Sequence, residues 1–204
     1  LFWEERNLWF SDVWFDIKGT PQALNNKDTR KRSAAYPFEL VYRLINMYSA
    51  KGDLIVDPFL GMGTTTIAAM ASGRNSVGYE IDSTLQTINN RFQNAFLKTS
   101  QELIHQRLVN HIEFVHQRME SKGKLKHINI HYGFPVMTAQ ERELLINDPI
   151  AIEVLDGNTT KVEYSTEPQQ EICKDWSAFF ENNSNTNDSI ETLKKDPDSQ
   201  LSLF

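Results

Sequence analysis

Cysteine is almost absent from this sequence, because Cys173 is the only one among 204 residues. A single thiol cannot form an internal disulfide, so nothing in the sequence indicates an oxidising compartment. The sequence also lacks a run of about 18 apolar residues that could cross a bilayer, and an apolar leader with a small-residue cleavage site. We therefore expect a soluble, cytoplasmic protein that makes no membrane contact.

The net charge of −6 is unevenly distributed along the chain. Residues 1–99 contain 11 Lys and Arg against 10 Asp and Glu, whereas residues 100–204 contain 10 against 17. DNA-binding surfaces are normally basic because they contact phosphates, so charge alone does not suggest DNA. The one compact basic cluster consists of Lys27, Arg30, Lys31 and Arg32. A functional role, either binding DNA phosphate or lining the entrance of a ligand site, and a plain solvated loop are equally favoured for it.

Hydrophobic periodicity predicts a βαβ unit with a leading helix, which is an α/β arrangement. A proline suits the first turn of the leading helix, and a short apolar run flanked by aspartates is typical of a buried parallel strand. The expected elements are a helix from Pro37, a strand at Leu54–Val56, a helix at Thr64–Ser72, a strand at Ser76–Ile81 and a helix from Asp82 or Ser83 to about Lys98.

The flanking regions are less regular. Alternating aromatic and polar residues over 7–17 predict one or two short strands. A charged helix is expected over 100–120, a strand with a turn over 124–136, and a small hairpin over 151–164. Beyond about Ser165 the chain has 8 Asp and Glu against 3 Lys, which is typical of a disordered tail.

A glycine turn lies between the first predicted strand and its following helix, and it contains Gly61 and Gly63. Glycines permit a tight turn and close approach of a ligand, while the free amides of the next helix attract an anionic group. Glu80 ends the next predicted strand, where a carboxylate can accept hydrogen bonds from two ribose hydroxyls. The pattern indicates a nucleoside-bearing ligand with a carboxylate or phosphate.

Other interpretations of this turn have different residue requirements. A purely structural turn stays open, because a bare Gly-x-Gly is weak evidence. A phosphate loop needs Gly-Lys-Ser/Thr, and no lysine occurs between Lys51 and Lys98. A dinucleotide fingerprint needs a third glycine where Thr66 stands, so both nucleotide interpretations are rejected. The positions of the five histidines do not predict a complete set of metal ligands, so no metal site is expected.

Three segments carry a family resemblance: Tyr-Pro-Phe-Glu-Leu at 36–40, Gly-Asp-Leu-Ile-Val-Asp-Pro-Phe-Leu-Gly-Met-Gly-Thr-Thr-Thr at 52–66, and Gly-Arg-Asn-Ser-Val-Gly-Tyr-Glu-Ile-Asp at 73–82. In this order they resemble the cofactor-binding region of the DNA N6-adenine and N4-cytosine methyltransferases, over roughly residues 10–95. The order is similar to the permuted class, whose catalytic motif precedes the cofactor motifs. The resemblance implies the C-terminal part of a Rossmann-like α/β methyltransferase that binds S-adenosylmethionine.

By matching position, the resemblance also implies the cofactor-binding residues. Phe59 and Ile81 would lie against the adenine ring, and Glu80 would hold the ribose. Thr64 and Thr65 would offer hydroxyls and amides to the carboxylate of the methionine end. The complete set is Tyr36, Pro37, Asp57, Pro58, Phe59, Gly61, Gly63, Thr64, Thr65, Glu80 and Ile81.

The catalytic motif of this family, Asp/Asn/Ser-Pro-Pro-aromatic, has no counterpart, since none of the seven prolines is adjacent to another. That motif holds the exocyclic amine of a flipped base, so no catalytic residue is assigned. We expect this chain alone to be inactive and to need an N-terminal catalytic part or a complementary subunit to methylate double-stranded DNA at the nucleoid. The alternatives are a non-catalytic S-adenosylmethionine-binding subunit, or a methyltransferase acting on RNA or a small molecule.

The resemblance divides the chain into four parts. Residues 1–33 would end a preceding catalytic or target-recognition region, 34–98 would form the cofactor-binding core, 99–164 a helical or mixed extension, and 165–204 the acidic tail. The final residues are similar to peptides that dock on the DNA sliding clamp, although an apolar end packing on its own domain stays an alternative. The candidate clamp-docking residues are Gln200, Leu201, Leu203 and Phe204.

Overall fold

The computed structural model describes residues 1–17, 36–83, 85, 93–156, 158–174 and 176. These residues form two compact units. The first unit contains the described residues of Leu1–Ser11, Ser100–Asp148 and Tyr164–Asp196, and the second contains those of Asp12–Thr99 and Pro149–Glu163. No helix in the described part of the chain is long and apolar enough to span a membrane.

The structure is a mixture of helices and short strands. The helices are α1 (Trp3–Trp9), α2 (Phe38–Tyr48), α3 (Thr64–Ala71), α4 (Gln93–Lys122) and α5 (Gln170–Lys174), with a 3₁₀ turn at Ala139–Glu143. The strands are β1 (Leu54–Asp57), β2 (Asn75–Gly78), β3 (His127–Ile128), β4 (Pro135–Val136), β5 (Pro149–Asp156) and β6 (Thr159–Tyr164).

The leading helix of the α/β unit is confirmed as α2, with Pro37 as its N-cap residue. Tyr42 and Arg43 of this helix are buried, whereas Tyr48 at its end is exposed. The buried Arg43 guanidinium forms ion pairs with Asp16 and Glu39. These ion pairs offset the free-energy cost of burying its charge.

The predicted parallel pairing of β1 with β2 is also confirmed, with Leu54 opposite Asn75 and Val56 opposite Val77. Helix α3 connects the two strands, so the chain forms the expected βαβ unit. The expectation of a buried β1 was wrong, since Leu54 is 59% exposed and Val56 is 58% exposed. Successive side chains of a strand point to opposite faces, and here one apolar face of the sheet faces solvent.

The remaining element of the second unit is the predicted hairpin. Strands β5 and β6 pair with each other, and Asp156 accepts a hydrogen bond from the amide of Asn158 at 2.8 Å. This bond stabilises the turn between the strands, as aspartate commonly does. The helix expected over 83–98 falls largely outside the described residues, although its last residues belong to α4.

The first unit is organised around α4, which extends the charged helix predicted over 100–120. Ile104, Leu108 and Ile112 recur every four residues and are fully buried, so they form one apolar stripe of the helix. They pack with Tyr132 and Phe134, which flank the turn at Gly133 that precedes β4. The turn requires glycine because its φ is 76°.

The strands expected over residues 7–17 are not formed, and the first residues of that range belong to helix α1. Near the start of this helix, the carboxylate of Glu5 accepts a hydrogen bond from the Phe2 amide at 3.0 Å and binds Arg107 of α4 at 2.6 Å. Both interactions favour a helical start. Phe2 is fully buried and Trp9 is 5% exposed, so the aromatic spacing belongs to a helix face rather than a strand.

The acidic tail expected from Ser165 needs a correction over its first residues. Ile172 of α5 is fully buried in the core of the first unit, and Gln169 is 7% exposed. Gln169 also accepts a hydrogen bond from the Tyr132 hydroxyl at 3.0 Å. The buried Ile172 and the hydrogen-bonded side-chain amide of Gln169 therefore hold this segment against the core, although its composition is polar. Residues 177–204 lie outside the described part of the chain.

Both compact units contain segments that are not consecutive in the chain. Leu1–Ser11 cluster with Ser100–Asp148, although the sequence separates them by the cofactor-binding region, and the hairpin Pro149–Glu163 clusters with Asp12–Thr99. Compact units are defined by packing, which brings together segments far apart in the chain.

Candidate functional site

The glycine turn between β1 and α3 adopts a conformation that requires glycine. Gly61 has a φ of 54° and Gly63 a φ of 85°, values that cost other residues steric strain. Gly63 is the N-cap residue of α3. The Leu60 amide donates to the Tyr79 carbonyl at 2.8 Å, and the Gly63 amide donates to the Leu60 carbonyl at 2.9 Å. The turn is thus attached to the residue that follows β2.

Asp57, Tyr36 and Thr65 meet at the carboxyl end of β1. The Thr65 hydroxyl donates to Asp57 Oδ2 at 2.5 Å, and the Tyr36 hydroxyl lies 2.8 Å from Thr65 Oγ1. The amide of Phe59 donates to Asp57 Oδ1 at 2.9 Å. Burial, followed by the negative charge of Asp57, raises the pKa of the Tyr36 phenol. The sequence selected these three positions but did not indicate that they bind one another.

Glu80 meets the glycine turn from the end of the neighbouring strand. Its Oε2 accepts a hydrogen bond from the Gly61 amide at 2.7 Å, and its Oε1 accepts one from the Asp82 amide at 2.8 Å. The carboxyl ends of parallel strands lie at the same edge of a sheet, and ligands of open α/β sheets bind at that edge. Glu80 and Gly61, selected separately in the sequence, are therefore in direct contact.

The remaining candidate residues border this edge in different ways. Phe59 is 85% exposed and Ile81 is completely exposed, so neither side chain is packed into a core of the described residues. Pro37 starts α2 and Thr64 starts α3, while Pro58 lies in the turn directly after β1.

Gly78 is a residue of this site that the sequence reasoning missed. It is the last residue of β2, and a Cβ placed on it would lie 2.6 Å from Leu60 Cδ1. Only glycine leaves room for the Leu60 side chain, which anchors the middle of the turn. The signal was present in the sequence, because a glycine inside a predicted strand often marks close approach of another segment.

Two groups of candidate residues fall outside the described part of the chain. They are the basic cluster Lys27, Arg30, Lys31 and Arg32, and the terminal residues Gln200, Leu201, Leu203 and Phe204. Their assignments to DNA phosphate and to a sliding clamp stay predictions.

A glycine turn after one parallel strand, joined to a carboxylate at the end of the next, is typical of α/β proteins that bind nucleoside-bearing ligands. Comparison with known proteins shows which proteins the chain is similar to. Residues 2–91 match a model of the N6/N4 methyltransferase family, described as DNA methylase. This match covers somewhat less than half of the chain.

Curated relatives extend the match. The type II methyltransferase M.MthZI of Methanothermobacter thermautotrophicus is 50% identical over 157 residues, which cover 77% of this chain and 43% of that protein. The type II methyltransferase M.MjaI of Methanocaldococcus jannaschii is 48% identical over 85 residues, covering 42% of this chain and 27% of that protein. The chain spans less than half the length of these relatives.

Among solved structures, a DNA modification methylase from Thermus thermophilus, in complex with S-adenosyl-L-methionine, is 33% identical to this chain. The alignment covers 48% of this chain and 34% of the Thermus protein, with a TM-score of 0.37.

Proposed function

We propose that this chain binds S-adenosylmethionine at the glycine turn and supplies the cofactor-binding part of a Rossmann-like DNA methyltransferase. The reaction would transfer the sulfonium methyl group to the exocyclic amine of adenine (N6) or cytosine (N4). When bound, the cofactor supplies an electrophilic methyl group. The residues of this chain bind and orient it, and none of them is assigned to the transfer step.

The carboxylate of Glu80 is suited to a ribose with two hydroxyl groups. An ionised carboxylate has about four lone-pair sites, and the amides of Gly61 and Asp82 occupy one on each oxygen. One acceptor site therefore remains on each oxygen for a ribose hydroxyl. The backbone bonds hold the carboxylate in place before the ligand arrives, which lowers the entropy cost of binding.

The other ends of the ligand also have suitable neighbours. The first amides of α3 have no acceptor within the helix, and the positive end of its dipole favours the carboxylate of the methionine portion. The Thr65 hydroxyl already donates to Asp57, so we assign this interaction to the amides. The exposed side chains of Phe59 and Ile81 offer apolar surface to the adenine ring, as aromatic and aliphatic groups do in ligand sites.

The 2.7 Å hydrogen bond between Glu80 and the Gly61 amide is the single observation on which the proposal mainly rests. Isothermal titration calorimetry of the full chain with S-adenosylmethionine tests it. We expect binding by the wild type and a loss of about 1–3 kcal/mol for Glu80→Ala, because hydrogen bonds to a charged group are lost. Gly61→Val should abolish binding because valine does not tolerate positive φ.

Glu153→Ala is the matched control for Glu80→Ala, since it removes another exposed glutamate of the second unit. The control should bind S-adenosylmethionine as the wild type does. No binding by the wild type, or equal weakening by both glutamate variants, would falsify the assignment of the site.

The complete activity requires, in this proposal, the Pro-Pro motif of an N-terminal part or a separate subunit, as in the permuted class. Mixing this chain with a separately expressed segment that carries the motif should produce labelled methyl groups on double-stranded DNA. Labelling of RNA or of a small molecule instead would favour the corresponding alternative. Cofactor binding without labelling of any substrate would favour a non-catalytic subunit.

The partners follow from the same proposal. Lys27, Arg30, Lys31 and Arg32 would contact DNA phosphates, so the enzyme would act at the nucleoid in the cytoplasm. Residues Gln200, Leu201, Leu203 and Phe204 would dock on the sliding clamp as an extended peptide. Unchanged clamp affinity after deletion of residues 200–204 would exclude this interaction.

A further inference from the structure

Three polar side chains from separate segments form a chain of hydrogen bonds beside the glycine turn. Tyr36 directly precedes the Pro37 cap of α2, Asp57 ends β1, and Thr65 is the second residue of α3. Tyr36 Oη lies 2.8 Å from Thr65 Oγ1 and 3.3 Å from Asp57 Oδ2. Thr65 is 8% exposed, so its hydroxyl needs internal partners.

Each hydroxyl group has only one proton, and this determines which group donates in each hydrogen bond of the network. The Thr65 hydroxyl has one proton, and the 2.5 Å contact with the carboxylate of Asp57 uses it. Tyr36 must therefore donate its own proton, with the Thr65 oxygen at 2.8 Å as its acceptor. The order is Tyr36 to Thr65 to Asp57, and successive bonds of this kind strengthen one another.

This network connects the two ends of the glycine turn. Asp57 immediately precedes the turn, and its Oδ1 also accepts from the Phe59 amide at 2.9 Å. Thr65 lies in the first turn of α3, where the amides without helical acceptors are located. A bond from Tyr36 to Thr65 therefore limits rotation of the start of α3 relative to the end of β1.

We propose that Tyr36 is a positioning residue, whose hydroxyl fixes Thr65 and Asp57 so that the first amides of α3 receive the amino-acid end of S-adenosylmethionine. The inference rests on the proposed function and deepens it. It also distinguishes the two ends of the ligand, because the adenosine end is assigned to Glu80, Phe59 and Ile81, which are not members of this network.

The experiment compares two ligands that share the adenosine end. They differ in the amino-acid portion and in the charge of the sulfur, which is a sulfonium in the first ligand and a neutral thioether in the second. The full chain is titrated with S-adenosylmethionine and with 5′-methylthioadenosine, which retains the adenosine and sulfur but lacks the amino-acid portion. Tyr36→Phe should weaken binding of S-adenosylmethionine roughly five- to tenfold, the size expected for one hydrogen bond. Its affinity for 5′-methylthioadenosine should stay within about twofold of the wild type.

Tyr48→Phe is the matched control, because it removes the hydroxyl of a tyrosine in α2 that is 72% exposed. It should leave both affinities unchanged. Thr65→Val should reproduce the selective loss, and Thr65→Ser, which keeps the hydroxyl, should restore binding of S-adenosylmethionine relative to Thr65→Val. Adding Tyr36→Phe to Thr65→Val should cause little further loss, since members of one network are not additive.

Two results overturn the positioning role while leaving the proposed function intact. One is wild-type affinity of Tyr36→Phe for S-adenosylmethionine. The other is equal weakening of both ligands, which indicates general damage to the site. Failure of the wild type to bind either ligand overturns the proposed function and this inference with it. Thermal unfolding of each variant, followed by circular dichroism, identifies variants that have lost the fold.

Discussion

At the scale of single residues, two buried polar contacts of the first unit join residues far apart in the sequence. Glu5 binds Arg107 through contacts of 2.6 and 2.8 Å. Burial opposes ionisation of Glu5, yet the guanidinium outweighs it and holds the pKa of this carboxyl below its usual value. His111, which is fully buried, lies 2.7 Å from Glu4. Neither pair has a local signature in the sequence.

The burial of the Asp148 carboxylate is compensated only in part. One of its oxygens, Oδ1, is buried without a hydrogen-bond partner among the described residues. Burial, followed by the nearby charge of Glu171, raises the pKa of Asp148. A raised folded-state pKa stabilises the fold below the unfolded value of about 3.9, and this stabilisation is lost as the pH rises through the folded value.

Asp148→Asn should therefore stabilise the protein at neutral pH, because the amide does not ionise. We expect a gain of roughly 0.5 kcal/mol in the free energy of unfolding at pH 7, limited by solvent screening of a half-exposed group. The gain should disappear at pH 3. Urea unfolding at both pH values measures it, with Glu143→Gln, an exposed neutralisation in the same unit, as the control. A gain that is independent of pH would contradict this explanation.

At the scale of elements, the site depends on how the glycine turn packs against the end of β2. Gly78 leaves the space that the Leu60 side chain fills, and the Leu60 amide binds the Tyr79 carbonyl. Side chain and backbone of Leu60 thus attach the turn to the strand that leads to Glu80. The geometry of the site is set by this contact as well as by the conformations of the glycines.

Gly78→Ala should displace Leu60 and distort the site. The added Cβ would approach the end of a flexible side chain, so we expect a loss of roughly 1–3 kcal/mol in stability and weaker binding of S-adenosylmethionine. The control is Gly52→Ala, whose Cβ meets nothing within 4 Å but whose φ is 83°. This variant should lose roughly 1 kcal/mol of stability and keep its ligand affinity. Weaker binding by both variants would show that the effect is not specific to Leu60.

Elements were predicted well where local patterns determine them and poorly where distant contacts do. Helix α2 and the parallel pair β1 and β2 were predicted, because their spacing and capping residues are local. The strand prediction over residues 7–17 overlapped the end of helix α1, since a seven-residue aromatic segment is too short for periodicity to decide. Helix α5 was missed because Ile172 is the one residue of this polar helix that is buried among those whose side chains are described.

At the scale of the whole molecule, the parallel sheet leaves an apolar face in solvent. Leu54, Val56 and Val77 are between 41% and 59% exposed, while helix α3 contacts both strands. Parallel sheets are normally covered on both faces, and clustered apolar surface favours association or binding of apolar dyes.

Replacing Leu54 and Val56 together by threonine should reduce this exposed apolar surface without unfolding the sheet, because threonine retains a high strand propensity. We expect weaker fluorescence of the dye ANS and less self-association in sedimentation experiments. Ile55→Thr, on the opposite face of β1, should instead lower the thermal stability and leave dye binding unreduced. Unchanged dye binding in the double variant would exclude this face as the site of association.

The sequence by itself determined the βαβ order, the glycine turn and the identity of the residues at its edge, because backbone conformation and strand or helix periodicity are properties of neighbouring residues. Only the tertiary structure decided that Tyr36 binds Thr65, that Gly61 binds Glu80, and that Glu5 binds Arg107. Each of these contacts joins residues separated by 19 to 102 positions. Such contacts depend on the packing of whole elements, which the local pattern of residues does not specify.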